Sequence, residues 1–97
     1  MDAVPKSFVA ECFWPDVHEH DVRELDERIR VRAVNRDDAR YLGSVLIRAD
    51  EVVLFHFEGT DAGVRDLAGQ AGVPFERLLE TDVVFSAATN AKGESDA

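Results

Sequence analysis

RYLGSVLIRADEVVLFHFE, residues 40–58, contains two runs of β-branched and aromatic side chains separated by a short polar break. Each run has the length and composition of a β-strand, and the intervening RADE, residues 48–51, is typical of a tight turn. The stretch therefore predicts a β-hairpin formed by residues 40–47 and 52–58.

The segment before the hairpin predicts a strand and then a helix. SFVAECFW, residues 7–14, is β-rich and is followed by Pro15, which cannot continue a strand. Apolar residues then recur at spacings of three and four, as on one face of an amphipathic helix, with acidic Glu19 and Asp21 in the first turn. That stripe consists of Val22, Leu25, Ile29 and Ala33.

The segment after the hairpin predicts a second helix and a fourth strand. Gly59 or Thr60 is the expected N-cap, and Gly72 with Pro74 marks the helix end. FERLLETDVVF, residues 75–85, supplies a turn and the last strand. The order βαββαβ predicts an α+β, ferredoxin-like domain with a four-stranded antiparallel sheet, two helices on one face, and strands one and three in the middle.

Length and composition predict a small acidic protein of one domain. We expect a flexible start over residues 1–6, the ferredoxin-like domain over 7–85 and a disordered tail over 86–97. The net charge of −9 argues against nucleic acid or an anionic membrane as a partner. A single cysteine, with no secretory signal pattern and no long apolar run, predicts a cytoplasmic location.

Alternation along the first and third strands separates two faces of the sheet. One set is apolar throughout and should pack against the helices: Phe8, Ala10, Cys12, Trp14, Val53, Phe55 and Phe57. The opposite face is also largely apolar, which predicts a homodimer with its sheets packed face to face around a space for a small molecule. The residues expected to line this space are Val9, Glu11, Phe13, Tyr41, Leu54 and His56.

Glu11 and His56 are the candidate catalytic residues. They should lie on adjacent central strands, where a carboxylate can orient an imidazole that acts as a general base, or complete a metal site. The alternative is a structural ion pair or hydrogen bond at the dimer interface.

Cys12, His18 and His20 form a second candidate set, because thiolate and imidazole ligands suit zinc, nickel or copper. Their spacing matches no standard zinc finger, and Cys12 facing the helices would be a small buried residue. Two histidines two positions apart would also diverge inside a helix. The alternative is therefore that His18 and His20 are solvent-exposed residues where the helix begins.

FVAECFWP, RYLGSVLIRADEVVLFHFE and VRDLAGQAGVPFERLLETDVV resemble a family of small bacterial ferredoxin-like proteins. The similar features are Glu11 before a turn at Pro15, Tyr41 at the start of the second strand, and Gly72-x-Pro74 after the second helix. The resemblance implies a dimeric α/β barrel and nickel binding. Gly43 and Leu67 stand where family histidines would align, so the imidazole ligands are not carried over.

The leading hypothesis is a non-catalytic binding protein, a homodimer that holds a small hydrophobic ligand or a transition metal such as nickel or zinc. One alternative is a cofactor-free enzyme, of isomerase or monooxygenase type, that uses Glu11 and His56 on a small hydrophobic substrate. A third hypothesis is a purely structural dimer or partner module.

Overall fold

The computed structural model describes residues 6–82 and confirms the ferredoxin-like α+β fold. Lys6, expected in a flexible start, is the first residue of a strand. The remaining residues of that start, the end of the predicted fourth strand and the predicted tail lie outside the described residues. The elements are β1 (Lys6–Phe13), α1 (Glu19–Ala33), β2 (Ala39–Ile47), β3 (Val52–Gly59), α2 (Asp61–Ala71) and β4 (Arg77–Thr81).

The sheet has the strand order β2-β3-β1-β4, and every neighbouring pair is antiparallel. The two middle strands are therefore β1 and β3, as predicted. They pair along their whole length, from Lys6 opposite Gly59 to Phe13 opposite Val52. A 3-10 turn over Arg48–Asp50 joins β2 to β3, and Glu51 closes it in the left-handed conformation with φ of 54°.

The core lies between the sheet and the two helices, because one apolar set from each strand faces the apolar stripe of each helix. Phe55, Phe57 and Ile29 are among its largest fully buried side chains, and Trp14 packs against it half-buried. The predicted division of β1 and β3 into a helix-facing set and an opposite set is confirmed. The buried members are Phe8, Ala10, Cys12, Val22, Leu25, Ile29, Ala39, Val53, Phe55, Phe57, Val64, Leu67, Ala68, Ala71 and Val73.

The start of α2 is held tightly against the segment that leads into β2. Thr60 is the N-cap, and its Oγ1 accepts a hydrogen bond from the Gly63 backbone N–H at 2.9 Å. The Thr60 N–H itself donates to the Asp38 carbonyl at 3.0 Å. Arg36 donates through Nε to Asp38 at 2.9 Å and through Nη1 to Asp66 of α2 at 3.0 Å. These bonds tie the end of α1, the start of β2 and the first turns of α2 together.

A β-bulge in β2 determines which of its side chains face the helices. Tyr41 lies opposite Phe57, whereas Gly43 lies opposite His56, so β2 has one extra residue, Leu42, at this point. Gly43 has φ of 130°, a backbone conformation that residues with a Cβ rarely adopt. The extra residue reverses the alternation of β2 on its N-terminal side.

Candidate functional site

The sheet surface opposite the helices, here called the open face, is uncovered in the described chain and carries eight apolar side chains. Its residues form transverse rows across the four strands. One row runs through Val45, Leu54, Glu11 and Arg77. Phe13 and Val45 are 53% and 47% exposed, which is high for large apolar side chains on a sheet. The apolar members of the face are Val9, Phe13, Leu42, Val45, Ile47, Val52, Leu54 and Leu79.

Two ion pairs lie within the open face. Arg77 of β4 donates through Nε to Glu11 Oε1 of β1 at 2.7 Å. Arg40 Nη1 of β2 lies 3.3 Å from Glu58 Oε1 of β3. The hydrogen bond to Glu11 and the charge of that carboxylate raise the pKa of the Arg77 guanidinium. Each carboxylate of the face is thus matched by an arginine on the same surface.

Glu11 and His56 lie on adjacent strands of the open face, as predicted, but they are diagonal neighbours. Glu11 is directly opposite Leu54, and His56 is directly opposite Val9. The Glu11 carboxylate is engaged by Arg77, a partner that sequence reasoning missed. The hydrogen bonds and ion pairs described for residues 6–82 include none between Glu11 and His56.

Five of the six predicted lining residues share the open face, and Tyr41 does not. The Tyr41 hydroxyl donates a hydrogen bond to Asp26 of α1, and its ring packs against Phe57 with centroids 5.3 Å apart. Ser44 Oγ also donates to Asp26, at 3.1 Å. Burial, together with the hydrogen bond to Asp26, raises the pKa of Tyr41. The bulge at Leu42 explains the error, because without it Tyr41 would lie on the same face as Val45.

The metal candidates His18 and His20 are at the beginning of α1, where their rings stack with centroids 5.9 Å apart. They do not diverge as expected, because His18 is the N-cap with extended backbone rather than a helical residue. His18 Nδ1 and His20 Nε2 lie 3.7 Å and 3.3 Å from the carboxylate of Asp21. That carboxylate also accepts the His18 backbone N–H at 2.9 Å and so caps the helix.

The donor set does not fit nickel or zinc. Within residues 6–82, no group of three or more His, Cys, Asp or Glu side chains is arranged to hold a metal ion. Cys12 is fully buried among the core residues, away from the exposed rings of His18 and His20. Burial, with smaller contributions from the charges of Glu76 and Glu11, raises the pKa of the Cys12 thiol to about 12.

A separate cleft of about 330 Å³ lies between α1 and the edge strand β2. Its walls carry both signs of charge, from Glu19, Arg23 and Asp26 of α1 and from Arg48 at the end of β2. Glu19 pairs with Arg23 at 2.5 Å and lies 3.9 Å from Arg48, so these charges already satisfy one another. The hydrogen bond and charge of Arg23 lower the pKa of Glu19 accordingly. The cleft therefore has the contacts of a solvated helix–strand junction.

No protein-family model, curated protein or solved structure matches this chain. The resemblance to the nickel-binding family therefore stays a prediction. Between residues 6 and 82, no helix is long and apolar enough to cross a membrane.

Proposed function

We propose that this chain is a non-catalytic binding protein that forms a homodimer through its open face and holds a small hydrophobic molecule between the two sheets. The observation that carries the proposal is the open face itself, on which eight apolar side chains occupy three of the four transverse rows together with Glu11, Arg77 and His56. The fourth row is polar and consists of Arg40, Glu58, Ser7 and Thr81. Contiguous exposed apolar surface of this kind marks an interface or a ligand surface.

The size of the open face supports a second copy as its cover. Strands lie about 4.8 Å apart and rise about 3.3 Å per residue, so the paired positions of the four strands span roughly 450 Å². Side chains raise the accessible area above this flat value. Two such faces buried together therefore reach about 1,000 Å², the area that a specific protein–protein interface needs.

The charges of the open face support self-association as well. The chain as a whole has a net charge of −9, which opposes the approach of two copies. On the open face, however, Glu11 is paired with Arg77 and Glu58 with Arg40. Two copies can therefore meet on this surface without bringing uncompensated carboxylates together. A two-fold arrangement uses the same surface on both copies and is the commonest assembly.

The side-chain contacts within the chain favour a hydrophobic ligand over a metal, and they favour binding over catalysis. No three-residue metal cluster is present among residues 6–82. The enzyme alternative, a cofactor-free isomerase or monooxygenase, needs Glu11 to orient His56, but Glu11 is engaged by Arg77. The cytoplasmic location stays a prediction.

Sedimentation equilibrium tests the dimer. We expect a mass of twice 10.8 kDa for the unchanged chain. Val45→Asp introduces a charge on each copy, and like charges brought together at an interface cost several kcal/mol, so we expect the dimer dissociation constant to rise at least about 100-fold.

Val31→Asp is the matched control. Val31 is an equally apolar residue, 62% exposed on α1 and on the opposite side of the molecule from the open face. We expect this variant to remain a dimer. A monomeric unchanged chain, or dissociation by both substitutions equally, contradicts the proposal. Ligand binding is tested separately by titrating the dimer with small apolar molecules.

A further inference from the structure

We infer that the molecule held between the sheets is a neutral apolar compound with one hydroxyl group, and that His56 is the residue that binds this hydroxyl. The inference rests on the proposed dimer and specifies the chemical class of its ligand.

Among the ionisable side chains of the open face within residues 6–82, the His56 imidazole is the one for which no protein partner is described. The two carboxylates of the face, Glu11 and Glu58, are each engaged by an arginine. None of the hydrogen bonds or ion pairs described for residues 6–82 involves the His56 imidazole, which is half-buried. A neutral imidazole has one donor and one acceptor nitrogen, and both need partners once a second copy excludes water.

The backbone leaves room for a ligand beside His56. Its two cross-strand neighbours are Val9 on β1 and Gly43 on β2. Gly43 has no side chain, and a Cβ placed there would have no atom within 4 Å. Directly opposite residues on adjacent strands are about 5 Å apart, so the missing side chain leaves a hollow next to the imidazole.

The residues around this hollow favour a neutral, largely apolar ligand. Val9, Leu54 and Val45 supply apolar walls on three sides of His56. The charged groups that face His56 are Glu11 diagonally across β1 and Glu58 two positions along β3, and each is neutralised by its arginine. Because each of these carboxylates is already paired with a guanidinium, the surface beside His56 offers no uncompensated charge to a charged ligand. A hydroxyl both donates and accepts, which matches the two nitrogens of a neutral imidazole.

Two probes of nearly the same size, p-cresol and toluene, test the role of the hydroxyl. We expect the dimer to bind p-cresol about tenfold more tightly than toluene, which is the order of one net hydrogen bond. His56→Phe should reduce the affinity for p-cresol to that for toluene and leave toluene binding unchanged. His56→Gln retains a donor and an acceptor and should restore part of the preference. His20→Ala, at an exposed position in α1, is the matched control.

Nitrogen-15 spectra of the imidazoles report the contact directly, because the chain has three histidines. We expect p-cresol to shift the signals of His56 and not those of His18 and His20. Equal binding of both probes, with no effect of His56→Phe, overturns this inference and leaves the dimeric binding protein intact. A dimer that binds neither probe overturns both this inference and the ligand-binding function. A monomeric chain overturns the dimer itself together with this inference.

Discussion

Gly63→Ala tests how closely α2 approaches the segment before β2. In an open helix position this substitution stabilises a protein by about 1 kcal/mol, because glycine is a poor helix former. At Gly63, however, an added Cβ would lie 2.5 Å from the Asp38 carbonyl oxygen and 2.7 Å from the Asp38 Cγ. Overpacking of this kind costs about 1–3 kcal/mol. Since the carbonyl is backbone and cannot rotate away, we expect a net loss of about 1–2 kcal/mol.

Gly69→Ala provides the control within the same helix. A Cβ at Gly69 would meet no atom within 4 Å, so we expect a gain of about 0.5–1 kcal/mol. The two variants should then differ by about 1.5–3 kcal/mol, or roughly 6–24 °C in melting temperature for a domain of this size. Urea unfolding followed by circular dichroism measures both. If Gly63→Ala is as stable as Gly69→Ala, then α2 does not approach Asp38 as closely as described here.

Two further predictions concern polar contacts on the helix side of the sheet. Tyr41→Phe removes the hydroxyl that donates to Asp26, and we expect it to cost about 1–2 kcal/mol in urea unfolding, more than Ser44→Ala; an unchanged stability would contradict the helix-facing position of Tyr41. Arg36→Ala removes the hydrogen bonds that lower the pKa of Asp38 from 3.8. Because the folded state binds the Asp38 proton less tightly than the unfolded state, these bonds stabilise the fold above that pH. This stabilisation is lost as the pH falls through the folded-state pKa. The unchanged chain should therefore be more stable than Arg36→Ala at pH 7 and lose more of its stability than the variant between pH 4 and pH 2, and parallel pH profiles would refute this.

The features predicted from local periodicity agree with the structure. The hairpin at residues 40–58 and the two faces of β1 and β3 follow from the alternation of side chains, which depends on neighbouring residues alone. The glycine after α2 follows in the same way, since Gly72 adopts φ of 78° at the helix end. These signals are strong because apolar side chains that recur every two residues share one face only in a strand, and those that recur every three to four residues share one face only in a helix.

The features that were missed depend on geometry that no local pattern contains. The bulge at Leu42 and Gly43 turns Tyr41 towards the helices, and a lone glycine in a strand does not by itself reveal a bulge. Arg77 is the partner of Glu11 because β4 pairs with β1 in a particular register, and the two residues are 66 positions apart in the sequence. Alternation along RLLET, which places Arg77 with Leu79 and Thr81, is the signal that could have suggested this pair.

The central claim is that a second copy of the chain covers the open face. Isotope-filtered nuclear Overhauser spectroscopy on a mixture of labelled and unlabelled protein tests it most directly. We predict intermolecular contacts to the methyl groups of Val9, Val45 and Leu54 and none to those of Val31. Intermolecular contacts confined to Val31 and the exposed end of α1, or the absence of any at a concentration where the mass is that of one chain, would contradict the account.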